Sequence, residues 1–272
     1  MGTKIPDKID VVIPAHEKDI KTLPYCVARA KKCIKNVGKV FIISKDKLVD
    51  NAEWFDESQF PFSKKDVERI IKGKTNYKIG WHFQQLLKFY SLFTIPNVSK
   101  NVLVLDSDTV FYKKTKFVEK DDGNENIFYL SIGKDKNLET NEFSIKSRKF
   151  IKKMLPNLNV DLLKENGKWI TGICHHILLN RDAVEHMFSE VCKKHKGKEF
   201  WKVFLELSSI NEFPSEYELY FTFMLNNYSN QIKLRRLKYK NTHDFSVLEY
   251  YAEILRKKYD YCSYHEREYV DK

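Results

Sequence analysis

The chain has 272 residues, 42% of them apolar and 14% aromatic, enough for a packed core and far from the composition of a disordered chain. Its formal net charge of +11 reflects 48 basic against 37 acidic residues, mostly dispersed lysines with one denser run, KLRRLKYK at 233–240. Such a surface favours phosphorylated ligands and leaves peripheral membrane contact open. The absence of zinc-finger spacing, an RNP-type aromatic motif or a helix-turn-helix pattern excludes nucleic acid as the expected partner.

The first apolar run, IDVVIP at 9–14, predicts a buried strand stopped by Pro14. LPYCVARAKKCIKNV follows with Leu23, Val27, Ala30 and Ile34 at helical spacing, and Gly38 reads as its stop. VFIIS at 40–44 predicts a second buried strand. Strand, helix and strand with short joints open a parallel α/β sheet.

Residues 45–62 read as irregular, and Ser63 caps a short helix with Asp66 three residues on. YKIGWHFQQLLKFYSLF at 77–93 predicts a helix whose buried stripe is Phe83, Leu86, Leu87 and Tyr90. Gln84 and Lys88 share a different face, where the plainer reading of Lys88 is a solvated lysine.

VLVL at 102–105 is the third buried strand, and FYLSI at 128–132 predicts another, with a solvated turn over 118–126 between them. A helix is expected over 145–155, ending before Pro156, and WITGICHHILLN at 169–180 reads as a loop entering a strand. Asn180 caps the helix that follows, residues 198–208 look helical, and another helix starts at Ser215. IKLRRLKYK alternates as a late strand would, and a Tyr-rich helix is expected over 245–260.

No apolar run approaches the ~20 residues of a membrane helix. MGTKIPDKID lacks the apolar core of a signal peptide. A cytoplasmic protein is therefore the expectation. The five cysteines form no CxxC pair and are expected as reduced thiols, Cys26 and Cys33 on one helix face.

The chemistry concentrates where VLVL ends in DSDTV. Asp106 and Asp108, two apart on an extended segment, point the same way at the carboxyl end of a strand, where open α/β sheets hold ligands. Paired carboxylates repel unless a cation or proton lies between them. Their hard oxygens suit Mg2+ or Mn2+, which also takes substrate phosphates. DSDTV also satisfies the DxDx[TV] signature of haloacid-dehalogenase-type phosphatases, in which the first Asp is the nucleophile. Against that alternative, the motif follows three α/β elements and no GDxxxD appears downstream.

IDVVIPAHEKD, GWHFQQLLKFY, LVLDSDTVF, TGICHHILLNRD and SEYELYF, in this order, resemble glycosyltransferases of the GT-A fold. The nearest likeness is to bacterial and viral glycosyltransferase-like proteins with GW–QQLLK–Y, DSDT and SEYELY motifs. The resemblance spans residues 9 to about 225. It implies an α/β, Rossmann-like GT-A domain over 1–272, an open, mostly parallel mixed sheet flanked by helices. Residues 1 to about 110 would form the nucleotide-binding half. The remainder would form a sugar and acceptor half with a C-terminal helical region.

The activity it implies is metal-dependent transfer of a sugar from a UDP-linked donor to a hydroxyl of a glycan, lipid-linked or protein-linked acceptor. A catalytically silent nucleotide-sugar binder is the other alternative. By the same resemblance the nucleotide meets Pro14, Ala15, His16, Glu17 and Ser44, and Lys88 meets the donor sugar and the aspartates. Asp108 is a direct ligand of Mn2+ or Mg2+, Asp106 meets ribose or metal, and Ser107 lies between them. Thr171 and Gly172 line the donor sugar with His175 beside them, and His243 completes the metal site. In SEYE, Ser215 and Glu218 read as a capping box, so Glu216 is the acid left to face the acceptor as general base.

Overall fold

The computed structural model describes residues 7–76, 78–123, 125–134, 137–249 and 252–265. Tyr77, at the expected start of one helix, and Tyr250 and Tyr251, inside the expected C-terminal one, lie outside the described residues, as does Asn124 in the expected turn.

The strands are β1 (Ile9–Pro14), β2 (Val37–Ser44), β3 (Glu53–Asp56), β4 (Asn101–Leu105), β5 (Thr109–Phe111), β6 (Val118–Lys120), β7 (Asn126–Ser131), β8 (Lys164–Glu165), β9 (Lys168–Trp169), β10 (His176–Asn180), β11 (Ile232–Arg235), β12 (Tyr239–Thr242) and β13 (Tyr261–Tyr264). The helices are α1 (Leu23–Cys33), α2 (Lys64–Ile71), α3 (Ile79–Thr94), α4 (Glu142–Met154), α5 (Arg181–Lys194), α6 (Phe200–Glu206), α7 (Glu216–Asn227), α8 (Ser246–Glu249) and α9 (Ala252–Lys258).

The main sheet runs β10-β4-β1-β2-β3, parallel except for β10, which is antiparallel to β4. β1 and β4 are buried at every position, as continuous apolar runs covered on both faces must be. One polar residue interrupts β1, and it has a duty. Asp10 accepts the Lys39 and Ser99 amides at 2.7 Å each, joining β1 to the β2 strand and to the approach to β4.

Gly38 serves that pin and does not stop α1. The helix ends at Cys33, Asn36 takes the left-handed turn at φ 57°, and Gly38 lies inside β2. A Cβ at Gly38 would come within 2.3 Å of Asp10 Oδ1.

The segment read as irregular contains β3, which extends the sheet beside β2. The stretch read as a solvated turn begins with β6, paired antiparallel with β7. Two small sheets complete the fold, β11-β7-β6 and β12-β13-β5. Within the expected C-terminal helix, the described residues are helical over Ser246–Glu249 and Ala252–Lys258.

Ser63 and Asp66 exchange the reciprocal bonds of a capping box at α2, and Asn180 caps α5 through the Ala183 amide, as their positions predict. α3 is buried well beyond one stripe: His82, Gln85, Lys88 and Ser91 are enclosed along with Phe83, Leu86, Leu87 and Phe89. Among the described residues no helix is long and apolar enough to cross a membrane. The cysteines are unpaired, and all but Cys192 are fully buried.

Candidate active site

A cleft of about 710 Å3 opens beyond the carboxyl ends of β1 and β4, the position at which open α/β sheets hold ligands. β1 delivers Pro14, Ala15 and His16 to it, and β4 delivers Asp106, Ser107 and Asp108. α3 brings Lys88, and the start of α7 brings Ser215, Glu216 and Tyr217.

Lys88 is the hub. Its Nζ donates to Glu216 Oε1 at 2.7 Å, to Tyr217 OH at 2.9 Å and to Asp106 Oδ1 at 3.0 Å. Tyr217 passes its own hydroxyl hydrogen to the same Asp106 oxygen at 2.9 Å, closing the ring of contacts. The lysine side chain is 4% exposed, so the solvated-helix reading is overturned. Burial alone would strip its charge. The Asp106 and Glu216 carboxylates outweigh that and hold the ammonium above the usual lysine range.

Two carboxylates around one ammonium already leave an excess of negative charge, and Asp108 adds to it. Burial, with the Asp106 carboxylate beside it, pushes the Asp108 pKa up to about 7. Asp108 Oδ1 accepts from Ser263 Oγ at 2.9 Å, and Oδ2 lies 3.6 Å from His265 Nδ1.

This donor set fits a hard divalent cation in part. Among the described residues no group of three or more His, Cys, Asp or Glu side chains is gathered as a metal cage. The second oxygen of Asp106 makes no bond to a described residue, and Asp108 turns its Oδ2 toward His265. Two such carboxylates hold Mg2+ or Mn2+ when a ligand's phosphates supply the rest of the shell.

Several expected residues lie elsewhere. His243 is exposed and its Nδ1 is bonded to the His265 carbonyl, so the late histidine near Asp108 is His265, on the turn after β13. Thr171 and Gly172 do not line the cleft. Glu218 Oε2 accepts from Thr171 Oγ1 at 2.9 Å and from the Gly172 amide at 2.7 Å. A Cβ on Gly172 would stand 2.4 Å from Phe221 Cβ, so this glycine allows the loop to pack on α7. Ile173, Cys174 and His175 form the lining in their place.

Glu218 therefore does not complete the capping box, although Ser215 Oγ still accepts its amide at 3.2 Å. Glu17 is exposed on a short 3-10 turn outside the lining, where Lys18 and Asp19 stand instead. Ser44 is buried outside the cleft with its Oγ donated to the Asp46 carbonyl.

His175 sits at the cleft wall, 3.3 Å from Tyr261 OH, and burial lowers its pKa to about 4, so it is neutral. Its carbonyl accepts the Asp106 amide at 3.0 Å, carrying the β4–β10 pairing one step past the strand. His176 points the other way, as adjacent strand residues must, and bonds Ser131 at 2.9 Å.

No protein-family model matches the chain, and no curated protein sequence does. Solved structures do. The mannosyltransferase Ktr4p from S. cerevisiae superposes with a TM-score of 0.51 at 13% identity, over 84% of this chain and 68% of that one. Mouse xyloside xylosyltransferase 1 aligns over 94% of this chain and 97% of its own at 10% identity and a TM-score of 0.44. The galactosyltransferase LgtC aligns over 94% and 87% at 9% identity and 0.41. The chain has the α/β fold of the GT-A glycosyltransferases, with a mostly parallel sheet.

Proposed function

We propose that this protein is a metal-dependent glycosyltransferase that moves a sugar from a nucleotide-sugar donor, UDP-linked by the sequence resemblance, to a hydroxyl of a glycan, lipid-linked or protein-linked acceptor. The observation that carries the reading is the buried Lys88–Asp106–Glu216–Tyr217 cluster under a cleft at the ends of β1 and β4. Apolar residues of similar size often stabilise a core as well as a lysine buried among two carboxylates, so stability gives little reason for this cluster.

The donor's base and ribose would lie against Pro14, Ala15 and His16, and its diphosphate at Asp106 and Asp108. Mn2+ or Mg2+ there would supply positive charge to the departing diphosphate. Lys88 holds Asp106 and Glu216 in place. Glu216, at the first position of α7, would take the proton of the acceptor hydroxyl as its oxygen bonds to the sugar carbon and the bond to phosphate breaks. Its pairing with Lys88 fixes its direction. In this reading residues 1–110 bind the nucleotide, and the rest of one 272-residue domain binds sugar and acceptor. The phosphatase alternative finds no support in the fold.

A panel of nucleotide sugars with Mn2+, scored for donor hydrolysis and for thermal shift, tests the proposal. Hydrolysis of at least one donor is expected. Binding of UDP with no turnover of any donor would leave a silent nucleotide-sugar binder, and neither binding nor turnover would sink the reading.

A further inference from the structure

We infer that Tyr217 is a positioning residue for ligand binding: with Lys88, its hydroxyl holds Asp106 by one carboxylate oxygen and so assigns the other to the cation of a bound nucleotide diphosphate. The inference rests on the glycosyltransfer reading for the identity of the ligand. The hydrogen bonds that carry it do not depend on that reading.

A lysine ammonium has three hydrogens and no lone pair. Lys88 places one on Asp106 Oδ1, one on Glu216 Oε1 and one on Tyr217 OH, at 3.0, 2.7 and 2.9 Å. No hydrogen is left for a sugar or a phosphate, so Lys88 acts on a ligand through its three partners. Because the ammonium can only donate, the Tyr217 oxygen accepts from it. The phenol hydrogen is then given to Asp106 Oδ1, 2.9 Å away. The order Lys88 to Tyr217 to Asp106 is thereby fixed, and Tyr217, itself buried, has no hydrogen to spare for a substrate.

Tyr217 owes its position to the start of α7. Gln85 Oε1 on α3 accepts the Glu216 amide at 2.9 Å, which ties the turn carrying Tyr217 to the helix carrying Lys88. Asp106 is held at its backbone by the bond from its amide to the His175 carbonyl, but its carboxylate could still turn. A single donor can pass from one oxygen to the other. Two donors converging on Oδ1 from different helices remove that freedom.

The second oxygen is the one offered. Asp106 Oδ2 bonds no described residue and is not enclosed, on a side chain that is 27% exposed and lines the cleft. Groups that orient a metal-ligating carboxylate are commonly worth about 10–100-fold in metal affinity.

The test uses the full chain with UDP in excess, and free Mn2+ is read by its EPR signal during a titration. Tyr217→Phe removes the hydroxyl and keeps the ring, whose centroid lies 4.3 Å from the Lys88 ammonium. Tyr220→Phe is the control. Tyr220 is also buried, one turn further along α7 and outside the cleft lining, and its hydroxyl accepts the Asn180 amide at 3.0 Å. Each variant loses one buried hydroxyl, a change within the stability margin of a folded domain. Both should unfold at lower urea concentration than the wild type. Tyr217→Phe alone should weaken Mn2+ binding, by about 10–100-fold. Should Tyr217→Phe fail to fold, Lys88→Met with Glu216→Gln, compared with and without Tyr217→Phe, makes the same measurement with no ammonium left short of an acceptor.

The inference is overturned when the wild type binds no Mn2+ beside UDP, when Tyr217→Phe binds it as the wild type does, or when Tyr220→Phe weakens it equally. Hydrolysis of a nucleotide-sugar donor, with Mn2+ affinity unmoved in Tyr217→Phe, would remove this role and leave the transfer reading standing. A selective loss in Tyr217→Phe without hydrolysis of any donor would do the reverse.

Discussion

Lys88 and Glu216 stand 128 residues apart in the chain, yet their charges meet at 2.7 Å with both side chains almost wholly out of solvent. Removing one side of such a pair strands the other. Lys88→Met should therefore lower unfolding stability by about 3–5 kcal/mol, far beyond the effect of a surface lysine. Adding Asp106→Asn and Glu216→Gln to Lys88→Met should recover much of that loss, because no unpaired charge then stays buried. Urea unfolding reads both, and wild-type stability in Lys88→Met would contradict the buried arrangement.

Asp106 and Asp108 crowd negative charge that a divalent ion would relieve. Mn2+ with UDP should raise the melting temperature of the wild type above that with UDP and EDTA. Asp108→Asn removes one charge and should abolish most of the difference. Equal shifts with and without the ion would exclude a metal at the end of β4.

The two acids of SEYE now separate by position. Glu216 faces the cleft, and Glu216→Gln should reduce sugar transfer by about 10²–10⁴-fold with a smaller change in UDP affinity. Glu218 faces the 171–173 loop, and Glu218→Ala strands the Thr171 hydroxyl and the Gly172 amide at about 1–3 kcal/mol for each. Faster amide exchange over residues 171–175 should accompany that loss. Unchanged exchange there would mean that Glu218 does not hold the loop.

His176 carries a pH signature. Burial, with Arg235 nearby, holds its pKa well below the ordinary value of 6.5, so the folded state keeps it neutral while the unfolded chain takes up a proton. The unfolded state binds more protons below about pH 6.5, and stability should fall as the pH drops through that value. His176→Gln removes this contribution, so its stability should fall less than that of the wild type between about pH 7 and 5. Parallel losses in the two proteins would assign the acid sensitivity to other groups.

The parts of this fold that read well are those where local pattern and tertiary environment agree. β1, β2 and β4 each carry a run of four apolar residues, VVIP, VFII and VLVL, and such runs have few homes other than the middle of a parallel sheet. β5, β12 and β13 are three or four residues long and hold one another in register, so no single one carries a pattern. Lys88 was legible as a candidate, but its burial was not, because a helical wheel shows faces and not partners 128 residues away. The high apolar content of α3 was the available signal that more than one face of the helix is enclosed. Glu218 matched a local cap so well that the local reading hid a long-range one. His265 has no motif around it, and the pairing of β13 with β5 and β12 brings it to Asp108.

The long reach from Lys88 to Glu216 also sets a clock on the ribosome. At ~5–20 residues per second, the 128 residues between them take roughly 6–26 s to synthesise. Until then the lysine has Asp106 but not Glu216 to neutralise it, and its ammonium draws water to a helix rich in apolar side chains. The nascent chain thus passes through a long stage in which α3 cannot bed down, the kind of exposure that chaperones recognise. A chain stopped before α7 should be cut by protease along α3, whereas the full chain should be protected there.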